Sequence, residues 1–346
     1  MIANGDIAEL LTSAGLQARS REDDLDGWDG FLKRQVYAPI LYSAGQIAYQ
    51  LAYLGGSTED CRDLSLVLLQ DQRPAGIWPL TLTRTGEQIA LTTQGLPVQP
   101  PLLAPHLSDR TGKVLMKNCV TFADLLAARL DIPAWLAAGP FQGSIAPGLG
   151  VWHQQMMARG AHVALRHELY VDLAQDIETI RLQFRKSYKP LITMAARTWD
   201  VQVMQNADPA IWAAFRDLHL KAAGRQTRSD LTWDLQLSSI RNGEAFLVCL
   251  RDGEGTMVGA GYFDHTATEG VYASAAYDRS LFDKPVGHLV QYRAIEVMKA
   301  MGLRWYRIGE RPFPGDSPTL KELSIAEFKQ GFATHLFPLF EYRLTI

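Results

Sequence analysis

Three apolar runs separated by short polar turns lie in the second half of this chain, and they constrain its fold more than any other feature. The runs are Ala245–Leu250, Met257–Phe263 and Val271–Tyr277. The turns between them, at Asp252–Gly255 and His265–Gly270, are polar and contain glycine. Short turns of this kind join neighbouring antiparallel strands. The sequence therefore predicts a three-strand antiparallel meander.

The segments on either side of the meander predict helices and one further strand. After a loop at Lys284–Gly287, apolar residues repeat on one face of Gly287–Met301, and Gly302 is placed to end that helix. Trp305–Ile308 then has the composition of a buried strand. Before the meander, the second half predicts a long helix at Asp176–Arg197 broken near Pro190, a strand at Val201–Met204, and helices at Asp208–Ala223 and Trp233–Arg241. Thr232 is the predicted N-cap of the last of these helices. After Ile308, a helix at Thr319–Gln330 and a strand at Phe337–Leu344 are predicted.

This order of elements is that of the acetyltransferase-like GNAT fold. In that fold the central strands splay apart around an acyl donor, and the start of the central helix offers backbone N–H groups to phosphates. A weaker meander pattern, at Leu64–Leu68 and Ile77–Leu82, occurs in the first half. A chain of 346 residues exceeds one ordinary domain. We therefore predict an α/β protein with mixed sheets and two tandem GNAT-like domains, residues 1–168 and residues 169–346.

Composition excludes several classes of protein. Hydrophobic residues make up 47% and charged residues 21%, which is typical of a globular chain and excludes a largely disordered one. No apolar stretch approaches about 20 residues, and the N-terminus lacks the pattern of a secretory signal, so we expect a cytoplasmic protein without integral membrane contact. The cysteines are few and far apart, and the histidines lack metal-ligand spacing, so we assign no metal. The net charge of −3 makes DNA an unexpected partner.

Several short segments carry a resemblance to a known family. The last of them, Phe328-Lys329-Gln330-Gly331-Phe332, is close to the pattern FK-x-GFG. The others are Val171-Asp172-Leu173 before Ile180-Arg181, Arg185-Lys186-Ser187-Tyr188, the strand Tyr272–Tyr277, and Pro285-Val286-Gly287-His288 opening a helix that ends at Lys299-Ala300-Met301-Gly302. At these residues the C-terminal half resembles the Fem-type peptidoglycan aminoacyltransferases, which are two GNAT-like domains in tandem.

The sequence also departs from that family. Ala333 stands where the family has its final glycine, and no long charged helical hairpin is inserted. The glycine-rich acetyl-CoA signature Q/R-x-x-G-x-G/A is absent, since Lys284–His288 contains one glycine. The donor therefore stays open between acyl-CoA, towards which we lean, and aminoacyl-tRNA.

Three residues are candidates for the chemistry. An amide forms from a thioester or ester through an oxyanion, which a fixed cation in a dry site stabilises. Lys329, between two phenylalanines at the end of a helix, is our candidate for that cation, and the alternative is a lysine that only balances the helix dipole. Glu310, directly after a strand, is the candidate proton acceptor, and Tyr277, ending the meander, the other polar group. Both residues also have ordinary structural interpretations.

A polar connection between two helices is the candidate acceptor site. Arg225, Thr227 and Arg228 lie within a few residues, next to Trp233. Arginine binds phosphate and carboxylate bidentately, and hydroxyls add donors. We expect these four residues to bind a small acceptor through its phosphate or carboxylate. The alternative is a solvated linker between the helices.

The start of the central helix is the candidate donor site. Backbone N–H groups near Gly287 would bind a pyrophosphate, and Lys284 would add charge. His288 belongs to the same donor site through its backbone, and it is a weaker candidate as general base, because a lone histidine at a helix start is often structural. Arg181, Arg185, Lys186 and Lys189 are spaced to form one basic helical face, which would contact tRNA phosphates or simply be solvated.

Together these features predict an acyltransferase. The resemblance implies transfer of an acyl or aminoacyl group to a primary amine of a nucleotide-linked amino sugar or cell-envelope precursor. The alternative from another class is a non-catalytic tandem GNAT-like protein that uses its cleft for binding.

Overall fold

The computed structural model describes residues 2–144 and 149–346. The chain groups into two compact units. The first runs to Leu165 and also includes Pro338–Ile346, and the second is Arg166–Phe337. The units divide within a strand, His162–Asp172, which also contains the predicted boundary at 168/169. Pro338–Ile346, assigned above to the second domain, groups with the first unit. The division into domains 1–168 and 169–346 stays a prediction.

The first unit contains small antiparallel sheets and helices around one core. The elements are α1 Asn4–Ser13, β1 Gln17–Ser20, α2 Leu25–Leu32, α3 Ala44–Gly55, β2 Asp60–Asp63, β3 Leu66–Gln70, β4 Arg73–Trp78, β5 Thr81–Thr85, β6 Gln88–Thr92, β7 Leu102–Leu103, α4 Asp109–Arg129, β8 Ala134–Gly139 and α5 Val151–Ala158, with β15 running His335–Thr345. The sheets have the orders β1-β3-β4-β7 and β2-β5-β6, and β8 pairs with the C-terminal end of β15, from Phe340↔Gly139 to Thr345↔Ala134.

The long helix α4 supplies much of this core. Ser108 caps it by accepting a hydrogen bond from the Thr111 amide. Leu115, Cys119, Phe122 and Leu126 recur at helical spacing, and all are buried. This stripe packs with the tryptophans of β4 and β8 in one hydrophobic cluster.

The second unit is one mixed sheet with helices on both faces. Its elements are β9 His162–Asp172, α6 Ile177–Gln183, α7 Tyr188–Thr198, β10 Asp200–Met204, α8 Pro209–Ala223, α9 Asp230–Arg241, β11 Ala245–Arg251, β12 Met257–His265, β13 Glu269–Tyr277, α10 Val286–Ala300, β14 Trp305–Glu310 and α11 Leu320–Gln330. The strand order is β10-β11-β12-β13-β14-β9, and among these neighbours only β13 and β14 are parallel. The predicted meander, β11 to β13, and the helix beginning beside Gly287 are confirmed.

Alternate residues of β11 separate the two faces of this sheet. Phe246, Val248 and Leu250 belong to the cluster that includes α7 and α10. Ala245, Leu247 and Cys249 belong to the cluster formed with α8 and α9. Successive side chains of a strand point to opposite faces, so α8 and α9 cover one face and α10 the other.

Two details of the predicted helices are wrong. The break in the long helix lies at residues 184–187, where Phe184 is extended, and not at Pro190. Pro190 falls in the first turn of α7, where the missing N–H has no helical partner to lose. The cap of α9 is Ser229, which accepts from the Thr232 amide, while Thr232 is buried and donates its hydroxyl to the Ser229 carbonyl, 2.7 Å away.

Candidate functional site

The parallel strands β13 and β14 pair over a short stretch and then part. Their register runs from Glu269↔Trp305 to Val271↔Arg307, although the strands continue to Tyr277 and Glu310. Beyond residue 271 the two strands therefore open a gap in the middle of the sheet. This is the splay that the element order predicts, and the candidate catalytic residues lie along it.

Two glycines of β12 bring the start of α10 close to this gap. A Cβ at Gly259 would lie 2.3 Å from the Val286 side chain, and one at Gly261 would lie 2.7 Å from Val290. Neither distance is compatible with a real side chain. The helix therefore packs against the sheet at the level where β13 ends.

The Lys329 side chain passes over Gly309, so that its ammonium lies at the end of β14. Helix α11 begins with a capping box between Thr319 and Glu322, and Lys329 lies in its last turn. The Lys329 ammonium is 2.7 Å from where a Cβ of Gly309 would be and 5.7 Å from the ring centroid of Tyr272. Gly309 has φ +130°, a conformation that other residues rarely adopt. The Lys329 ammonium is thus held beside the parted strand ends.

Lys329 and Glu310 shift each other's protonation. Burial lowers the pKa of Lys329 and the nearby Arg307 lowers it further, while Glu310 raises it. The pKa of Glu310 is raised by removal of its carboxyl from water and by Glu168, against the lowering effect of Arg307, Lys329 and Arg166. The pKa of the carboxyl is thus raised and that of the ammonium is lowered, which brings the two values closer together. Such a pair of shifts is typical of sites that transfer protons.

A cluster of tyrosines lines the same gap. The hydroxyls of Tyr272 and Tyr277 are 3.0 Å apart, and Tyr306 donates to the Gln291 side-chain oxygen at 2.6 Å. Burial raises the pKa of Tyr272 to about 12 and that of Tyr277 well above its usual range. These phenols are therefore neutral near pH 7 and act as hydrogen-bond donors.

The residues predicted to hold the donor lie at the start of α10. The amides of Val286 and His288 already donate to the carbonyls of Lys284 and Pro285, at 2.9 and 3.2 Å. The Lys284 ammonium is exposed and pairs with Asp283 at 3.1 Å. A Cβ at Gly287 would lie 3.2 Å from the ring of Phe328. The helix thus begins where the sequence predicts, but two of its first backbone N–H groups already make hydrogen bonds within the protein.

His288 lies among aromatic rings. Its ring centroid is 4.5 Å from that of Tyr188 and 5.1 Å from that of Phe328, both edge to face. Burial, and then the Arg185 guanidinium, lower the pKa of His288 to about 4. The imidazole is therefore neutral near pH 7 and packs like an aromatic residue.

The arginine connection lies on the other face of the sheet. Arg228 donates to the Gln236 side-chain oxygen at 2.8 Å and lies 4.7 Å from the centroid of the Trp233 ring. Trp233 is 5% exposed and packs in the core under α8 and α9. Arg225 is exposed, and the hydroxyl of Thr227 is buried without a hydrogen-bond partner. The structure thus groups Lys329, Glu310 and Tyr277, and it holds Arg228 against Trp233 and Gln236 of α9.

The basic residues at Arg181–Lys189 do not form one helical face. The chain is non-helical between α6 and α7. Arg181 pairs with Glu178 at 3.2 Å, and Arg185 donates to the Glu327 carbonyl at 3.1 Å. The i, i+4 interpretation is wrong because it assumed a helix across residues 184–187.

Several site residues escaped the sequence interpretation. Gly309 and Gln291 lie in no motif, and Tyr272 lies in the matching segment Tyr272–Tyr277 but was not singled out, because the importance of all three depends on where β13 and β14 part. Gly309 offered one signal, since a glycine between a buried strand and Glu310 indicates close approach of another group. Asp264 was also missed, and burial raises its pKa to about 7, with Glu244 adding to the rise and Tyr262 and Arg228 opposing it.

Two kinds of feature are absent from the part of the chain that the structure describes. Among residues 2–144 and 149–346, no helix has the length and apolarity needed to span a bilayer. Within the same ranges, no three His, Cys, Asp or Glu side chains group as a metal site.

Comparison with known proteins identifies the fold. No protein-family model matches the sequence, and no curated protein matches it. The structure is similar to FemX (TM-score 0.68, 11% identity, covering 96% of this chain and 97% of FemX) and to L-PGS from Bacillus licheniformis (0.55, 12%, 94% and 93%). It is also similar to a tandem GNAT protein from the clavulanic acid biosynthesis pathway (0.52, 13%, 95% and 98%). The fold is that of tandem GNAT-like proteins. At these identities the likeness extends to the fold alone.

Proposed function

We propose that this protein is an N-acyltransferase that passes an acyl or aminoacyl group to a primary amine. The observation that carries the proposal is the Lys329 ammonium, held over Gly309 beside Glu310 where β13 and β14 part. A cation, a carboxylate and neutral phenols around one gap are the groups that amide formation requires. The acceptor is a phosphate- or carboxylate-bearing amine, such as a nucleotide-linked amino sugar or a cell-envelope precursor. That acceptor class rests on the Fem-type resemblance.

The reaction needs no covalent enzyme intermediate. The amine nitrogen attacks the acyl carbonyl carbon, and the carbonyl oxygen gains the negative charge that Lys329 stabilises. Glu310, whose raised pKa makes it a stronger base than an ordinary carboxylate, accepts the proton lost by the nitrogen. The bond to the donor sulfur or oxygen then breaks, and the neutral Tyr277 hydroxyl donates a proton to the leaving group. Proton return from Glu310 restores Tyr277 and completes the cycle.

Acyl-CoA is the donor in this proposal, with aminoacyl-tRNA as the alternative. The gap between β13 and β14 fits an extended acyl-bearing arm, because it exposes strand edges whose backbone groups are no longer paired. The phosphate end fits less fully. To bind a phosphate, the Lys284 ammonium must break its ion pair with Asp283. The amides of Val286 and His288 already donate to backbone carbonyls, so the Gly287 amide would donate to the phosphate. When bound, the thioester would supply the activated acyl group.

Arg225, Thr227 and Arg228 are proposed to bind the acceptor. Arg225 is exposed, which suits a ligand contact, and the buried Thr227 hydroxyl has an unused hydrogen-bonding capacity. Arg228 contributes positive charge from its position over Trp233.

The proposal is tested by measuring acyl transfer from acetyl-CoA and from aminoacyl-tRNA to amino-sugar nucleotides. We expect transfer from one donor that is lost when Lys329 is replaced by methionine in a folded protein. A protein that transfers from neither donor, yet still binds an acceptor, would instead be a binding or scaffold protein.

A further inference from the structure

An arginine-lined groove lies on the side of α10 that faces α6 and α7. Its volume is about 420 Å³. Arg181, Arg197 and Arg293 line it together with one carboxylate, Glu296, and Leu289 and Ile192 contribute apolar wall. Its lining shares no residue with the gap around Lys329. Pockets of this volume are large enough for a small organic ligand.

The three guanidiniums outnumber the carboxylates that balance them. Arg293 pairs with Glu296 through Nη1 at 2.5 Å, and Arg181 pairs with Glu178 through Nη1 at 3.2 Å. Arg197 is exposed and makes no ion pair within the described ranges. Two carboxylates against three arginines leave the groove positively charged.

Hydrogen bonding at two of these arginines is incomplete. The Nε atoms of Arg181 and Arg293 are buried and have no hydrogen-bond partner. A buried donor without an acceptor destabilises the protein, so each guanidinium gains by turning towards an incoming acceptor. The Nε and Nη2 edge of arginine matches two oxygens of one phosphate.

We propose that this groove binds an organic phosphate. A phosphate group carries a charge of about −1.5 to −2 and three acceptor oxygens, so it matches several guanidiniums better than a carboxylate, which has a single charge and two oxygens. Leu289 and Ile192 provide the apolar contact for the organic part of the ligand. Binding here is independent of the transfer reaction proposed above, so the failure of either proposal leaves the other in place.

Calorimetric titration of the 346-residue chain with ADP and with inorganic pyrophosphate tests the proposal. We expect ADP to bind more tightly than pyrophosphate. Arg197→Gln and Arg293→Gln should each weaken ADP binding roughly tenfold or more, the effect of a lost charge-assisted contact. Arg241→Gln, which changes an exposed arginine at the end of α9, is the matched control and should bind ADP normally.

Other outcomes would overturn the assignment. They are absence of ADP binding at millimolar concentration, equal affinity for ADP and pyrophosphate, and variants that bind like the parent. Displacement of ADP by an RNA oligonucleotide with a steep salt dependence would replace the small ligand with a polynucleotide. If Arg293→Gln fails to fold, Arg293→Lys keeps the charge but loses the planar fork, and it should still weaken ADP binding. Retained binding in Lys329→Met separates this groove from the gap at β13 and β14.

Discussion

At the scale of single residues, Lys329 is the position on which the proposed chemistry depends most. Replacing Lys329 with methionine keeps the length of the side chain and removes the charge. We expect kcat to fall about 10²- to 10³-fold, the usual effect of losing one stabilising group at an oxyanion. The melting temperature should stay near that of the parent, because a desolvated ammonium contributes little net stability.

Lys321→Met is the matched control for that variant. Lys321 lies on the same helix and is exposed. Steady-state kinetics and thermal melts of both variants make the comparison. Equal loss of kcat in the two variants, or none in Lys329→Met, would remove Lys329 from the mechanism.

Gly309 should be nearly as sensitive as Lys329. An alanine there would place its Cβ 2.7 Å from the Lys329 ammonium and would also strain a backbone at φ +130°. We expect Gly309→Ala to displace the ammonium and lower kcat at least tenfold, with some loss of stability. Acyl-transfer kinetics measure the first effect and urea unfolding the second. Parental kcat in Gly309→Ala would show that the lysine works from another position.

His288 should make stability depend on pH in one direction. Its pKa is about 4 in the folded protein and about 6.5 in an unfolded chain. Below pH 6.5 the unfolded chain binds a proton that the folded protein does not, so stability is full above that pH and falls between pH 6.5 and 4. His288→Phe keeps the ring packing and removes this titration. Melting temperatures measured from pH 7 to pH 4.5 should therefore fall less in His288→Phe than in the parent, and parallel curves would contradict the assignment.

At the scale of elements, the two arginines of the connection between α8 and α9 differ in their surroundings, although the sequence analysis gave both the same role in acceptor binding. Arg228 is tied to Gln236 and Trp233, whereas Arg225 is exposed. We expect Arg228→Ala to lower the free energy of unfolding by about 1–3 kcal/mol through the lost hydrogen bond and ring contact. Arg225→Ala should leave the stability unchanged and raise the KM for the acceptor.

Urea unfolding and acceptor kinetics of the two single variants test this division. Unchanged stability in Arg228→Ala, together with a raised KM for the acceptor, would show that Arg228 binds the acceptor and does not stabilise the fold. Unchanged KM in Arg225→Ala would exclude that arginine from the acceptor site.

Elements with strong local patterns were predictable, and those that depend on distant partners were not. The β11–β13 meander and α10 follow from apolar periodicity and turn residues, which are local properties. The break between α6 and α7 was misplaced because Pro190 is a visible helix breaker, while the actual cause includes the Arg185 amide bonding to the Gly331 carbonyl, 2.9 Å away. Lys329 was proposed from a motif, whereas the positions of Gly309 and Tyr272 beside it follow from the place where two distant strands part.

At the scale of the whole molecule, one pairing joins strands that lie far apart in the sequence. The C-terminal strand returns to the first unit, where Phe340–Thr345 pairs with β8. Short-range sequence patterns carry no information about such a return, so the first half of the chain was the harder half to predict. The order of the meander and α10 needed no distant partner and could be derived from the sequence, whereas β9, which pairs with the distant strand β14, was not predicted.

The choice of donor belongs to this scale, because tRNA would need several cations spread over a broad surface. The chain is net acidic at −3, and Arg181 and Arg185 already bind Glu178 and the Glu327 carbonyl. Of the four basic residues in that region, Lys186 and Lys189 make neither an ion pair nor a side-chain hydrogen bond within the described ranges. We therefore expect Lys186→Gln/Lys189→Gln to transfer an acyl group from acetyl-CoA like the parent, with activity that changes little from 50 to about 200 mM salt. Activity that falls about 10³-fold over this range in the parent, and is lost in the double variant, would make aminoacyl-tRNA the donor.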